Sequence, residues 1–305
     1  MNPIEVKRLS KSYGQVRAVR DFSFSVGKQE LVALAGPDGA GKTSVFRSIC
    51  GLVDFDQGEV MLAGRDVRTD LESVKHHLGY MPQAFSLYPD LSVEENLRFY
   101  AGIFGMDRRA FEDKKRRLYE FSGLGPFSGR RAEHLSGGMK QKLALSCNLI
   151  HDPDVLVLDE PTTGVDPLSR RQFWEILEQL RDAGASIVVS TPYMDELGLA
   201  DRAVLINAGE KLAEGTPADL VRDYEGKVFT VPIAPTTEDM KRLAGIENVT
   251  ARRYGAALRL YAGEDTTAAE IAEIVKEAGV DISGLEEIEP ELEDVFVQLM
   301  GSDHD

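Results

Sequence analysis

Residues 36–43 read Gly36-Pro37-Asp38-Gly39-Ala40-Gly41-Lys42-Thr43. This fits the pattern G-x-x-x-x-G-K-[ST], in which a glycine-rich turn closes around phosphate. An apolar run, Leu31-Val32-Ala33-Leu34-Ala35, leads into it, and Ser44-Val45-Phe46-Arg47-Ser48-Ile49 follows with helical spacing. Strand, glycine turn, helix is the context the pattern requires. Glycines let the backbone approach an anion closely, and the amides of the turn and first helical residues, Ser44 included, point at phosphate oxygens with the helix dipole behind them. Lys42 is placed to reach the β- and γ-phosphates and the Thr43 hydroxyl to sit on Mg²⁺. The bland alternative is a plain Gly-rich turn opening a helix; the Lys-Thr pair argues against it. The turn implies a bound nucleotide and leaves open what its energy drives.

Further along, Val155-Leu156-Val157-Leu158-Asp159-Glu160 is an apolar run ending in two acids. It reads as a buried parallel strand with carboxylates at its C-terminal edge, where α/β sheets hold ligands. Asp159 then suits Mg²⁺, and Glu160 suits orienting or deprotonating a water. Leu78-Gly79-Tyr80-Met81-Pro82-Gln83 is a strand stopped by proline, so Gln83 stands at a strand-to-loop junction, within reach of a metal or its water; a solvated loop glutamine is the alternative. Tyr13, expected in a turn-prone loop, is a candidate platform for an adenine ring. Ser136-Gly137-Gly138 opens another helix. Ser136 suits its N-cap, making a second anion-seeking helix end that one nucleotide does not need.

The rest of the chain frames these motifs. A length of 305 residues predicts about two domains. No uncharged apolar stretch is long enough to span a bilayer, and the first residues lack an export signal. Cys50 and Cys147 fall in predicted helices and read as buried small hydrophobes. Net charge is −16; from Val221 onward 8 Lys and Arg face 19 Asp and Glu. That acidic tail argues against a nucleic-acid surface and against direct insertion into or docking on anionic lipid, so attachment to a membrane would run through another protein. Ser92-Val93-Glu94-Glu95 is a capping box opening a helical stretch, and Asp113-Lys114-Lys115-Arg116-Arg117 reads as a solvated helix face.

Taken in order, these elements resemble the nucleotide-binding subunit of an ATP-binding-cassette transporter, over residues 1 to about 220. The likeness rests on the P-loop Gly36–Thr43, the signature Leu135-Ser136-Gly137-Gly138-Met139 and the Walker B strand Val155–Glu160. Tyr13 matches the family's adenine-stacking aromatic, Gln83 its Q-loop and Gly164-Val165-Asp166 its D-loop. The resemblance implies an α/β fold, a P-loop ATPase core of mixed and parallel sheet with a helical subdomain at about 84–150, and ATP with Mg²⁺ as cofactors. It also accounts for the second anion site: two cassettes meet head to tail and each signature completes the other's nucleotide site. The partners implied are a second cassette, identical or different, and transmembrane permease subunits, which place the chain in the cytoplasm on the inner face of the membrane.

Met139 and Asp38 are mild departures from the family pattern. Pro192 is larger, because it stands where the family has a histidine on the γ-phosphate; none of His76, His77, His134, His151 and His304 lies close in sequence. Residues 221–305 carry alternating strand and helix signals in a βαββαβ order, a ferredoxin-like α+β arrangement. With the closing stretch Glu291–Leu299 they resemble the extension of daunorubicin-resistance-type export cassettes, as a regulatory or dimer-stabilising appendage. The expectation is an exporter ATPase. The alternatives are a slow regulatory partner in a heterodimer, its site weakened by Pro192, and a soluble cassette ATPase acting outside transport.

Overall fold

A computed structural model describes residues 1–301 apart from 85 and 247; His304 lies outside the described residues. The chain divides into two units, Met1–Pro217 and Ala218–Asp305. The expected boundary, near residue 220, falls within the helix α7 (Pro217–Arg222).

The first unit holds two sheets. One is antiparallel, in the order β2 (Val16–Val26), β1 (Ile4–Tyr13), β4 (Gln57–Leu62), β5 (Arg65–Asp66). Alternation along β1 and β2 sends Ile4, Val6, Phe22, Phe24 and Val26 inward. The other has six strands in the order β10 (Glu210–Gly215), β9 (Arg202–Asn207), β3 (Leu31–Ala35), β8 (Ser186–Thr191), β7 (Val155–Asp159), β6 (Leu78–Met81). All its pairs are parallel except β9 with β10. Every residue of β3, β7 and β8 is buried, the mark of strands covered on both faces. Val32, Leu34, Val157, Val188 and Ile206 from this sheet share one core with the antiparallel sheet and with α1 (Lys42–Ile49).

β8 runs between β3 and β7. The turns that follow all three strands therefore emerge at one edge, and this gathers the site.

α2 (Leu71–His77) feeds β6. The helical stretch is α3 (Val93–Ile103), α4 (Arg108–Ser122) and α5 (Gly137–Asn148). Its capping box is present as read, with Ser92 and Glu95 exchanging side chain-to-backbone hydrogen bonds. α6 (Pro167–Asp182) starts with proline in its first turn and Asp166 accepting from the Ser169 amide. Its Phe173, Trp174 and Leu177 are buried. Both cysteines are buried, and burial pushes both thiols up. Among the described residues no helix is long and apolar enough to cross a membrane.

In the second unit β11 (Lys227–Val231), α8 (Thr237–Leu243), β12 (Val249–Tyr254), β13 (Ala257–Ala262), α9 (Ala268–Glu277) and β14 (Glu286–Ile288) follow one another. They form an antiparallel sheet ordered β12-β13-β11-β14. Phe229, Leu258, Leu260, Ile271 and Val275 share its core. α10 (Leu292–Gly301) buries Val295 and Phe296. It is tied to β13 by Arg259, which reaches Asp294 Oδ1 at 2.6 Å and Glu291 Oε2 at 2.8 Å.

One expectation is corrected. Tyr13 is not in a loop: it is the last residue of β1, paired with Val16 across a two-residue turn in which Gly14 takes φ +60°. The polar run Lys11-Ser12 hid the strand because this end of the hairpin is largely exposed.

Candidate nucleotide-binding site

The glycine turn is built as its sequence requires. Gly39 and Gly41 have φ of +80° and +108°, a region closed to most side chains. A Cβ on Gly36 would sit 2.1 Å from the Ile206 carbonyl oxygen, and one on Gly41 2.4 Å from that of Ala18. The neighbours are backbone, so neither could yield. Gly209, in the β9–β10 turn, donates its amide to the Ala40 carbonyl at 2.9 Å and braces the loop from outside.

Lys42 opens α1 and turns back into the loop, donating to the carbonyls of Gly36 at 2.8 Å and Pro37 at 3.0 Å. Its Nζ also lies 3.1 Å from Glu160 Oε1, with side chains 3% and 5% exposed. Glu160 follows β7 in a left-handed conformation, φ +47°, which aims its carboxylate across the strand ends. Gln83 Nε2 donates to Glu160 Oε2 at 2.9 Å, and the Thr163 hydroxyl donates to the same oxygen at 3.3 Å.

Asp159 is buried. Its Oδ1 accepts from Thr43 at 3.2 Å and from Ser190 at 2.8 Å, while Oδ2 has no partner among the described residues. Burial holds its carboxyl above the ordinary carboxylate range. A buried carboxylate oxygen without a donor, beside a threonine hydroxyl, is an oxygen donor set suited to a hard divalent cation. The residues present fit Mg²⁺.

A cavity of about 330 Å³ opens here, lined by Ala18, by residues 38–44 of the turn and helix, and by Gln83 and Glu160. Asp38, Gly39, Ala40, Gly41, Lys42, Thr43 and Ser44 are thus brought to one surface, with Gly36 and Pro37 beneath. Tyr13 is not among the lining residues; it is half-exposed, with Lys11 Nζ 4.9 Å from its ring centroid. Ser136, Gly137 and Gly138 are not in the lining either. Ser136 caps α5 by accepting from the Met139 amide at 3.4 Å and stays exposed. Gly138 is packed so close to α6 that a Cβ would lie 2.7 Å from Ser169 Cβ and Oγ.

Sequence reading missed Ser190. Its hydroxyl donates to Asp159 and accepts from the Glu160 amide at 2.9 Å, fixing both acids. The available signal was a serine inside an otherwise apolar strand. Pro192 follows β8; Thr191 Oγ1 accepts from the Tyr193 amide across it at 3.0 Å.

Comparison with known proteins places the chain in a family. Residues 19–163 match the ABC transporter family, and residues 215–300 match the family described as ATP-binding protein DrrA1-3-like, C-terminal domain. The linearmycin resistance ATP-binding protein LnrL of Bacillus subtilis (strain 168) is 31% identical, over 98% of both chains. The Nod factor export ATP-binding protein I of Rhizobium etli is 34% identical, over 99% of this chain and 94% of that one. The probable multidrug ABC transporter ATP-binding protein YbhF of Escherichia coli (strain K12) is 43% identical over 71% of this chain, which spans 38% of its length. Among solved structures, the ATP binding subunit of an ABC transporter superposes with a TM-score of 0.65 at 31% identity, over 72% of this chain and 92% of that one. With the glycine turn, the paired acids and the antiparallel C-terminal unit in place, the chain belongs to the ABC transporter ATP-binding family, in the branch that carries the DrrA-like C-terminal domain.

Proposed function

We propose that this chain binds and hydrolyses ATP as the energising subunit of an exporter, with a second cassette and separate permease subunits at the inner face of the membrane. The observation that carries this reading is the meeting of Lys42, Gln83 and Glu160 at the mouth of the glycine turn. Lys42 would hold the transferring phosphate, and Glu160 would orient and deprotonate the attacking water. Thr43 and Asp159 would hold Mg²⁺, which when bound supplies charge to neutralise the phosphates. The fixed positions of these groups, not covalent chemistry, would supply most of the rate.

The exposed Ser136 and Gly137 support a shared site, because they present an unused helix N-terminus on a surface apart from the cavity. Export as the direction of transport is supported by the Rhizobium etli relative, a Nod factor export ATP-binding protein that matches nearly the whole chain. The exported compound is set by subunits other than this chain.

A second reading has its own observation. Pro192 can neither donate to a phosphate oxygen nor carry a proton, so this chain's own site would turn over slowly beside a more active partner. The test is ATPase activity of the purified chain, unmodified and as Glu160→Gln and Pro192→His. Activity abolished by Glu160→Gln supports hydrolysis here. If the unmodified chain is fast and Pro192→His adds nothing, the slow-partner reading is wrong. Co-purification from membranes with a different cassette would establish a heterodimer.

A further inference from the structure

The turn after β8 carries Pro192 where the family resemblance implies a histidine, and a buried acid four residues further on. Glu196 is 3% exposed, although nothing in the catalytic reading uses it. Its Oε2 accepts from two hydroxyls, Thr191 Oγ1 at 2.5 Å and Thr162 Oγ1 at 3.1 Å. Arg170 Nη1, from α6, lies 3.7 Å from Oε1.

The two threonines sit on different strand ends. Thr191 closes β8 and immediately precedes Pro192. Thr162 lies two residues beyond Glu160, in the turn whose Thr163 hydroxyl also reaches the Glu160 carboxylate. A buried carboxylate is expensive unless its oxygens are bonded. Two hydroxyls bonded to one carboxyl oxygen fix both backbones to a common point, because each bond is directional. Ser190 already ties β8 to the Asp159–Glu160 pair from the strand side, and Glu196 closes the other side.

The geometry points to Glu196 as a positioning residue for hydrolysis: through Thr162 and Thr191 it locks the turn carrying Glu160 to the turn carrying Pro192. It does not touch nucleotide or water. It fixes where the Glu160 carboxylate stands. This rests on the proposal that Glu160 supports ATP hydrolysis.

The test compares Glu196→Ala, Glu196→Gln and Thr162→Val in the full chain, assembled with whatever cassette and permease co-purify with it. Readouts are kcat, KM for ATP, the dissociation constant of a fluorescent ATP analogue, and Tm. Expected are a kcat lowered at least tenfold by Glu196→Ala with KM and the dissociation constant changed less than twofold, and recovery to within threefold by Glu196→Gln, whose amide oxygen still accepts from both threonines. Thr162→Val lowers kcat as well, and combining it with Glu196→Ala lowers kcat no further than Glu196→Ala alone, since both act through one bond. Because Glu196→Ala leaves Arg170 facing an empty buried site, a poorly folding variant is judged by Thr162→Val, which conserves volume. Unchanged kcat in Thr162→Val and Glu196→Ala, additive losses, or losses that track Tm alone would overturn the assignment. Those outcomes count only if Glu160→Gln abolishes activity; if the complex is inactive or indifferent to Glu160→Gln, the hydrolysis reading itself has failed.

Discussion

Asp159 shows what a single residue gives up for its role. Its buried carboxyl holds a proton more tightly in the folded chain than in the unfolded one. With the folded pKa raised, the unfolded state binds fewer protons, and stability falls as pH rises through the range above the ordinary carboxylate value. Asp159→Asn removes that cost. The expected outcome is a nucleotide-free chain whose Tm at about pH 7.5 is higher by about 2–4 °C, as about 1 kcal/mol gives in a unit of this size, with the gain shrinking toward pH 4. The same variant loses the extra stabilisation that Mg²⁺ with ATP gives the parent. Scanning calorimetry with and without both ligands reads each effect.

Lys42 behaves in the opposite sense. It forms a buried pair with Glu160, and removing one member of such a pair strands the other, at about 3–5 kcal/mol. Lys42→Ala should therefore lower the denaturation midpoint even without nucleotide, whereas Lys42→Met together with Glu160→Leu should recover most of the loss in stability and none in ATP binding.

At the scale of elements, the α5 N-terminus separates packing from recognition. Gly138→Ala places a methyl against Ser169 of α6 and should cost about 1–3 kcal/mol through overpacking. Ser136→Ala removes one long cap bond and should cost at most about 1 kcal/mol. If the signature completes a neighbour's site, Ser136→Ala nevertheless abolishes the ATP-dependent dimer formed by a Glu160→Gln chain, as read by sedimentation. A dimer unchanged by Ser136→Ala would count against the shared site.

The elements also mark what the sequence made legible. β3 and β7 were plain because burial on both faces writes a continuous apolar run, and the glycine turn was plain because backbone contacts at Gly36 and Gly41 exclude any side chain. Lys11–Tyr13 hid a strand because an exposed hairpin end leaves no apolar alternation to read. Ser190 and Glu196 were passed over for another reason. A polar residue in a buried strand, or an acid in a short turn, shows its purpose only when strands distant in sequence bring its partners alongside. The left-handed backbone at Glu160 leaves no trace in residue type at all.

For the whole molecule, the two units carry separate hydrophobic cores. Calorimetry should resolve two unfolding transitions, and only the one reporting residues 1–217 should rise when ATP is added. Arg259→Met should displace the other alone. Arg259 is 5% exposed and its partner Asp294 is fully buried, so the stranded carboxylate costs about 3–5 kcal/mol. A single transition, shifted by both treatments, would contradict this division.

The pairing of Lys42 with Glu160 has a last consequence, best put as ion exchange. The ammonium of Lys42 is paired with a carboxylate of the same cavity. On the proposed function, loading would be a swap of counter-ions, in which an arriving phosphate would have to outcompete Glu160 for the ammonium, and the displaced carboxylate would then be free to meet water. A monovalent or weakly bound anion would displace little and leave Glu160 masked. The chain would release its base only to a ligand able to take the lysine from it, so that the act of filling the site also arms it.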